Sequence, residues 1–572
     1  MQRLYNFILH IRRCCPGTYI FIAILYFVLS NTVYPQSTYV PLNHRAYEFI
    51  ERMETKKIIT GVLNGAKPMT RSEIAGYILQ IQKKVDAGLK LNTVEQQQLN
   101  FLNIEYREEL HQTGYHLKHY TTRLEKIRNN KYINKILPDF IYANNRNFLS
   151  WEQDDFRVYF DPVLNHQRTY ISSDTLKNTG KTFHTTNGAR IYGQLGDRLG
   201  FFIDARDNKQ WGTKTYRLGN YTLPGLGFVR ATSPDFIYHD ETDAYIKLGF
   251  KYVDLVYGKF KNYWGQGYSG SLILSDVATS YDQFKFDVLY KRFKFTSIYG
   301  FLIDYQDFKG DSLQQRKYMA AHRLEFSPWN WLTIGMSEVV IFKSREFEPS
   351  YLNPVMFYRS AEHFLGSPDN VMMALDFKVL PGKNLKLYGE LLLDDVTSSK
   401  LGTDYFGNKW GILAGIFFAD FLTLDNFDLR CEYVKLRPYV YSHDNSLSHT
   451  HYATSLGHAI GPNSDALITK LNYRFSRFLQ CGLEFSKKRH GANSGQLNNG
   501  GDIDRYFRPQ DSIDAPFLGG VRETTQVIAA DVRYEIFRNL SLESKLLWEN
   551  LQKADQSTVG QTTFYFSVGI NY

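Results

Sequence analysis

The sequence predicts an all-β transmembrane barrel of about eighteen antiparallel strands, with a small N-terminal α-helical bundle on its periplasmic side. Three observations indicate this class. From residue 155 onward, apolar and charged side chains alternate in segments of about ten residues. The connections between these segments are alternately short and long. Beyond the N-terminus, no stretch reaches the ~18 apolar residues of a membrane-spanning helix.

Residues 1–36 have the features of an export signal. Arg12 and Arg13 precede the apolar stretch 18–29, which has the length of a signal-peptide core, and polar residues follow at once. We expect cleavage within residues 30–37 and delivery to the outer membrane of a Gram-negative bacterium. A retained N-terminal anchor helix is the alternative.

Residues 37–110 are predicted to form a helical bundle in the periplasm, where it would offer a surface to a periplasmic protein partner. Capping boxes at Thr70–Glu73 and Thr93–Gln96 indicate two helix starts. Residues 111–154 follow as a basic connector, which is either a solvated linker or a strip that contacts lipid. The helix-period segments cover residues 43–58, 71–87 and 93–110.

Residues 155–572 are predicted to form the barrel, because each strand has one apolar and one charged face. Leu387 and Leu391, for example, alternate with Lys386 and Glu390. A soluble barrel turns charge outward, whereas an outer-membrane barrel places apolar side chains against lipid and charges in its lumen. Closure also pairs every backbone donor and acceptor, as hydrocarbon requires. The expected lumen charge network comprises Lys386, Glu390, Arg430, Glu432, Lys470, Arg474, Asp531, Arg533, Glu535, Glu543 and Lys545.

The connectors divide into short turns and long loops, which is the asymmetry between the periplasmic turns and extracellular loops of bacterial barrels. An even strand number then puts both barrel ends on the periplasmic side. Residues 561–572 form the closing strand, whose terminal aromatic resembles the signal recognised by barrel-insertion machinery. The long loops are expected at residues 164–186, 209–240, 262–281, 304–315, 343–369, 396–408, 439–463, 491–523 and 551–560.

The cysteines are not expected to form a disulfide. Cys14 and Cys15 belong to the signal, so Cys431 and Cys481 remain. A whole strand lies between these two in the predicted sheet, which is too far for a disulfide bond. Both are expected on the apolar faces of their strands.

Two loops contain residue types that bind carbohydrate. Aromatic faces stack on sugar C–H groups and amides meet hydroxyl groups, so the candidates in the first loop are Trp264, Gln266 and Tyr268. For Tyr263 and Trp264, an aromatic girdle at the membrane interface is the alternative. The second loop, 343–369, either contacts the ligand or folds inward as a plug. Its candidates, including the residue after it, are Arg359, Glu362, His363, Asp369 and Asn370.

A third loop, residues 485–523, is rich in basic residues. Such a cationic rim suits uronic acids or phosphates, and solvated loop charge is the alternative. Its basic residues are Lys487, Lys488, Arg489, Arg505 and Arg508.

We predict no catalytic residue, metal or cofactor. Residues 265–270 match G-x-G-x-x-G but lead into a strand-like run rather than a helix, which excludes a dinucleotide site. No G-x-S-x-G elbow supports an enzyme. The net charge of +9 is spread along the chain and does not indicate nucleic acid. One loop carries four histidines without the carboxylate or cysteine spacing of a metal site: His443, His449, His451 and His458.

Four segments carry a family resemblance: residues 40–47, 67–73, 263–275 and 353–370. They are similar to those of capsule-assembly Wzi-type outer-membrane proteins, some relatives of which are associated with gliding motility. The resemblance implies an eighteen-stranded barrel with a periplasmic bundle, and a lectin that holds capsular polysaccharide on the cell.

The sequence therefore predicts a non-enzymatic outer-membrane barrel, surrounded by lipid, that binds or organises surface polysaccharide. An acidic polysaccharide would suit the basic loop charge. Two alternatives remain open. One is a scaffold for a gliding-motility or secretion complex, and the other is a channel that passes solutes through the charged lumen.

Overall fold

The computed structural model describes residues 38–116, 125–126, 130, 138–153, 155–173, 178–196, 198–213, 231–232, 235–304, 315–554 and 558–571. Within these residues, eighteen antiparallel strands close into one barrel, as predicted. The proposed export signal, residues 1–36, and part of the basic connector lie outside the described residues. None of the described helices combines the length and apolar character needed to cross a membrane.

The barrel strands are labelled β1 to β18 in chain order, and β18 pairs with β1 to close the sheet. Their bounds are Phe156–Ser173, Asn178–Leu195, Leu199–Gly212, Phe236–Gly249, Val253–Phe260, Tyr281–Tyr290, Phe293–Asp304, Gln315–Trp329, Leu332–Phe342, Asn370–Gly382, Leu385–Asp395, Lys409–Phe418, Phe427–Leu436, Ser464–Arg474, Leu479–Ala492, Val521–Phe537, Leu540–Lys553 and Val559–Ile570.

The two faces of the strands point as the alternation predicted. On β11, Leu387 and Leu391 are exposed on the outer wall, whereas Lys386 and Glu390 are buried inside. The closing strand β18 exposes Phe564 in the same way. An outer wall of large apolar side chains is stable only against hydrocarbon, so the barrel spans a membrane.

The short turns and most long loops lie where they were predicted, but one predicted loop is largely strand and the ends of a second are strand. The loop expected at 164–186 is a hairpin in which β1 and β2 pair from Phe156↔Leu195 to Ser173↔Asn178. The loop expected at 209–240 overlaps the ends of β3 and β4. These segments have polar residues on both faces, which suggested a loop. A strand can nevertheless continue through backbone hydrogen bonds alone where its outer face does not contact lipid.

The connector predicted at 111–154 ends in a short strand. Residues Leu149–Gln153 pair with the first part of β1, from Leu149↔Phe160 to Gln153↔Phe156. The pairing of β18 with β1 begins only at Leu164. The connector strand therefore covers the part of β1 that β18 leaves unpaired.

Four helices form the N-terminal bundle: α1 Arg45–Thr55, α2 Arg71–Asp86, α3 Thr93–Glu105 and α4 Arg107–Gln112. The capping box predicted at Thr70–Glu73 is present. The second prediction was off by one residue, because the cap of α3 is Asn92 with Glu95. Both cap types satisfy free N–H groups of the first turn, and asparagine does so as well as threonine. The apolar faces of the helices share one core.

The bundle sits against the barrel end that carries the short turns. Asn384, in the β10–β11 turn, donates its backbone N–H to the Thr55 carbonyl at 2.9 Å. The Arg477 N–H, in the β14–β15 turn, donates to Gln97 Oε1 at 3.2 Å. Arg538, in the β16–β17 turn, pairs with Glu105 of α3. The helices therefore close this end of the barrel instead of standing apart from it.

Cys431 lies on β13 and Cys481 on β15, with β14 between them. Both thiols are free. The predicted separation is therefore confirmed.

Candidate functional site

The β5–β6 loop, residues 261–280, folds into the barrel lumen. Its Tyr263 and Trp264 pair as a short antiparallel strand with Lys67 and Ala66 of the bundle segment. Residues 272–274 then pack in the main apolar core of the lumen. Loop and bundle thus meet inside the barrel and form one continuous filling.

Two lumen carboxylates hold the turn of this loop. Glu390 on β11 accepts backbone N–H bonds from Gln266, Gly267 and Leu272 at 2.7–2.8 Å. Glu432 on β13 accepts from the N–H groups of Tyr268 and Ser269 at 2.7 and 2.9 Å. These backbone N–H groups form no strand or helix hydrogen bonds, so the two carboxylates hold the loop backbone in this conformation.

The structure corrects the expected position of the first sugar-binding candidates. Trp264 is 0% exposed and lies in the lumen core, so it offers no stacking face to a ligand and belongs to no girdle. Gln266 is buried beside it. Tyr268 alone is accessible, at 40% exposure, with the Arg430 guanidinium 4.9 Å from its ring. The physical reason is that the loop buries its apolar residues with the bundle, a partner that is distant in sequence.

The β13–β14 loop, residues 437–463, packs on the inserted loop. The Nε2 atom of His449 lies 2.7 Å from the carbonyl oxygen of Ile273. The backbone N–H of Ile303 donates to His451 Nδ1 at 3.0 Å. Burial lowers the pKa of His449 to about 4, which keeps the ring neutral. In the described residues the loop histidines have separate partners, and no group of three metal-ligating side chains forms there.

Ser269 and His458 make a contact that resembles a catalytic pair. Their Oγ and Nε2 atoms lie 3.0 Å apart, and Ser269 also donates to Glu432. However, the Ile460 N–H donates to His458 Nδ1 at 3.2 Å, so the ring proton is on Nε2. That nitrogen cannot accept the serine proton, and the pair is therefore a structural contact that joins the two loops.

The predicted lumen charges pair largely with the bundle. Lys386 and Arg430 both bind Glu51 of α1, at 2.7 and 2.8 Å. Arg474 pairs with Glu48 of α1 and with Asp428 of β13. Burial alone would raise the pKa of Glu51, but the Arg430 guanidinium and the Lys386 ammonium hold this pKa well below its ordinary value.

The remaining predicted lumen charges lie nearer the barrel closure. Lys470 pairs with Asp531 at 3.1 Å, and Arg533 with Glu543 at 3.0 Å. Glu535 binds Arg45 of the bundle and Arg477. Lys545 is the register partner of Asp531. Glu535 is buried among these partners, whereas the other side chains on this side are half-buried or exposed, because neither inserted loop covers them.

The space inside the barrel includes three cavities of about 480, 440 and 460 Å³, each lined by both polar and apolar side chains. Tyr268, Lys67 and Lys470 line the second, together with Glu51. Leu42 lines both the first and second cavities, and Arg190 both the first and third. Residues of the bundle segment line all three, so the bundle narrows the space inside the barrel.

At the opposite end, the loops 396–408 and 493–520 form an ordered cap. Phe406 and Phe507 stack with ring centroids 3.6 Å apart, and both rings contact Tyr439. The Ala515 N–H donates to the Asp404 carbonyl at 2.6 Å. Tyr506 stacks on His443 with centroids 5.7 Å apart. All these rings except that of Tyr439 remain partly exposed.

Our prediction did not single out these aromatic residues. Their signal is present in the sequence, since two Tyr–Phe pairs, Tyr405–Phe406 and Tyr506–Phe507, interrupt otherwise polar loops. Of the predicted cationic rim, Arg505 and Arg508 flank the second pair. Lys487 and Arg489 lie instead on β15 with their side chains on the outer wall, and Lys488 lies on the same strand with its side chain on the lumen side.

The loop 343–369 is not a plug. It packs against the outer wall of the barrel, where Tyr351 and Tyr358 join a cluster of outward-facing residues of β7 to β10. Asp369 accepts the Tyr351 hydroxyl at 2.8 Å, whereas Asn370 points inward and donates to the Leu447 carbonyl at 2.9 Å. The second set of sugar-binding candidates is therefore divided by the barrel wall.

The other three candidates of this loop lie on or beside helix α6, Tyr358–Phe364, which follows the short helix α5, Pro349–Leu352. Arg359 is 3.8 Å from both Glu362 and Asp395. Glu362 is buried and His363 is exposed. None of the three contacts Trp264, Gln266 or Tyr268, so the two candidate sets do not form one site.

Comparisons with known proteins agree with this architecture. Wzi of Escherichia coli, an outer-membrane protein involved in group 1 capsule assembly and a carbohydrate-binding β-barrel, is similar in structure with a TM-score of 0.50. It is 14% identical over 94% of this chain and 100% of its own. Two Pseudomonas aeruginosa proteins match more weakly. OccK5 (OpdH) has a TM-score of 0.40 and is 8% identical, over 72% of this chain and 98% of its own. OprD has a TM-score of 0.39 and is 10% identical, over 72% of this chain and 94% of its own.

No curated protein matches the sequence. The family model described as capsule assembly protein Wzi matches residues 150–564, which include nearly the whole barrel. The chain therefore belongs to the Wzi capsule assembly family and is an outer-membrane β-barrel.

Proposed function

We propose that this protein binds polysaccharide at the outer end of a filled barrel and takes part in capsule assembly without catalysing a reaction. The observation that carries the proposal is the cap, where two Tyr–Phe pairs and two arginines share one surface. Membership of the Wzi family supports it, and the relative from E. coli is a carbohydrate-binding barrel.

The cap has the chemistry that sugar binding requires. The partly exposed rings of Tyr405 and Tyr506 present flat faces for sugar C–H groups. Arg508 is held by Asp511 at 2.8 Å, so its charge is largely compensated. In the described part of the chain, Arg505 has no carboxylate partner within salt-bridge distance, which leaves it to meet an acidic sugar.

The filled lumen argues against a solute channel. A channel needs a continuous aqueous path, and here the bundle and the loop 261–280 meet inside the barrel. Low, closed-state conductance in planar bilayers is the expected result. A large steady current through the intact protein would favour the channel.

The bundle would face the periplasm, because short turns face that side in bacterial barrels and the bundle closes the short-turn end. The alternative function, a scaffold for a complex, would use this bundle and can be tested by removing it. If deletion of residues 38–110 removed a periplasmic partner while glycan binding stayed intact, the scaffold would be favoured. The closing strand β18 would meet the barrel-insertion machinery during assembly.

Glycan binding is tested with purified surface polysaccharide from the producing bacterium and protein in detergent. We expect Tyr506→Ala to weaken binding about two- to twelvefold, the factor for one aromatic contact of about 0.5–1.5 kcal/mol. Arg505→Ala should weaken binding in a salt-dependent manner. Leu497→Ala is the matched control, since Leu497 is an exposed residue of the same loop.

All variants should keep heat-modifiable migration on gels, which reports an intact barrel. Binding that survives both cap substitutions unchanged would refute the cap as the glycan site.

A further inference from the structure

The loop 343–369 covers a patch of the outer barrel wall. Register places Tyr299, Ala320, Val340 and Val371 side by side across β7 to β10, all pointing outward. Together with Tyr351 and Tyr358 of the loop, these side chains form a separate buried cluster. The loop therefore leaves the barrel rim and folds back along its outside.

Beneath the loop lies a polar pair that bare lipid would not tolerate. His322 and Glu338 are register partners on the outer faces of β8 and β9, with Nε2 and Oε2 3.3 Å apart. The backbone N–H groups of Tyr358 and Arg359 donate to Glu338 at 2.7 and 2.8 Å. The Tyr358 ring lies 4.3 Å from the His322 ring. The loop thus satisfies and covers groups that are costly in hydrocarbon.

The opposite side of the loop is strongly apolar. Phe364 is 90% exposed and Val355 is 81% exposed, and Phe347 and Phe357 are more than half exposed. Large apolar side chains this exposed within so short a segment indicate an interaction surface. Phe347 stacks on Tyr299 of the wall with ring centroids 6.0 Å apart, and the other three side chains pack in neither the lumen core nor the cap.

The position of the loop along the barrel wall indicates what surrounds its exposed apolar side chains. The row that contains Tyr299 continues on the neighbouring strands through Phe284 and Tyr257, which are 50% and 48% exposed on the lipid-facing wall. On the other side, the register pair Leu375 and Leu391 is also exposed to lipid. The loop surface is therefore continuous with the lipid interface on both sides.

The height of the loop agrees with this. Glu338 lies four residues before the outer end of β9 at Phe342. With about 3.3 Å per residue and a strand tilt of about 45°, the contact to helix α6 lies about 9 Å below that end. The register row of Glu338 runs through His322 and Ser297 to Phe286, which is two residues farther from the outer end than the exposed Phe284, so the contact is level with the apolar outer wall.

We propose that the loop 343–369 is inserted in the outer leaflet of the membrane, where its exposed side chains contact lipid acyl chains. The loop is then part of the lipid-facing wall and takes no direct part in glycan binding. Its backbone shields the His322–Glu338 pair, and its apolar residues extend the hydrophobic surface of the barrel.

Spin labelling in vesicles of phosphatidylethanolamine and phosphatidylglycerol tests the proposal. Cys431 and Cys481 are replaced by alanine, and a nitroxide is attached through Phe364→Cys. Leu497→Cys provides the aqueous control, and Phe485→Cys on the outer face of β15 provides the lipid control. Collisions with oxygen, which concentrates in lipid, are compared with collisions with a water-soluble nickel chelate.

We expect the label at 364 to collide more with oxygen than with nickel, as at 485, and the order to be reversed at 497. Preferential nickel collisions at 364 would overturn the proposal, because the loop would lie in water. Low access to both reagents with spin–spin broadening would also overturn it and would indicate a second copy of the chain on this face. Val355→Cys repeats the test at a second site if the first variant fails to fold.

Discussion

Glu51 is the side chain that joins the helical bundle most directly to the barrel wall. One carboxylate serves two cations, because Lys386 Nζ lies 2.7 Å from Oε1 and Arg430 Nη2 lies 2.8 Å from Oε2. Both cations are buried. Glu51→Gln would keep the shape of the side chain and leave these two charges without a carboxylate.

Removing one partner of a buried ion pair costs about 3–5 kcal/mol, because the other charge stays desolvated. Glutamine retains one acceptor and the site borders a cavity, so we take the lower end, about 3 kcal/mol. At 1.36 kcal/mol per tenfold change, local opening of helix α1 should become about 150-fold more frequent.

Hydrogen exchange of the peptide containing residues 45–55 measures this opening in protein embedded in nanodiscs. Glu48→Gln is the matched control, since it makes the same change in the same helix. Glu48 is exposed, and its partner Arg474 keeps Asp428 at 2.6 Å. If Glu51→Gln exchanges like the wild type, or if Glu48→Gln has an equal effect, the docking argument is wrong.

Three further predictions follow from individual contacts. A Cβ at Gly65 would lie 2.3 Å from Arg323 Nη2, so Gly65→Ala should destabilise the protein by about 1–3 kcal/mol in thermal unfolding. The control is Gly76→Ala in α2, which has open space around its Cβ and should stabilise the protein by about 1 kcal/mol. Glu338→Ala frees two backbone N–H groups, so a protease should cut the loop 343–369 faster than in the wild type, and equal rates would contradict its docking. The buried ring of His449, with a pKa of about 4, stays neutral in the fold while the unfolded ring is protonated below about 6.5. Its contribution is thus complete above pH 6.5 and is lost as the pH falls towards 4. The protection factors of the amides around residues 447–458, which are corrected for the pH dependence of intrinsic exchange, should therefore fall over that range, and less so in His449→Gln.

The strand pattern was predictable because it follows from local periodicity. Lys386, Glu390 and Arg430 were assigned to the lumen by alternation alone, and their side chains are buried. The hairpin of β1 and β2 was missed because its upper part has polar residues on both faces, so no alternation indicates strand.

The candidate site was less predictable because it depends on contacts between distant segments. Trp264 has the residue type of a sugar platform, yet its pairing with the bundle segment at Ala66 buries it completely. Phe406 and Phe507 stack on the cap although about a hundred residues separate them in the sequence. No local pattern reports such a contact.

The sequence by itself determined the barrel, the inward charges and the apolar outer wall, since each of these repeats every second residue along a strand. Only the tertiary structure decided which side of the wall each long loop occupies. A loop has no periodicity, and its side is decided by whichever partner best satisfies its polar groups and covers its apolar ones. That partner was the bundle for residues 261–280 and the outer wall, with His322 and Glu338, for residues 343–369.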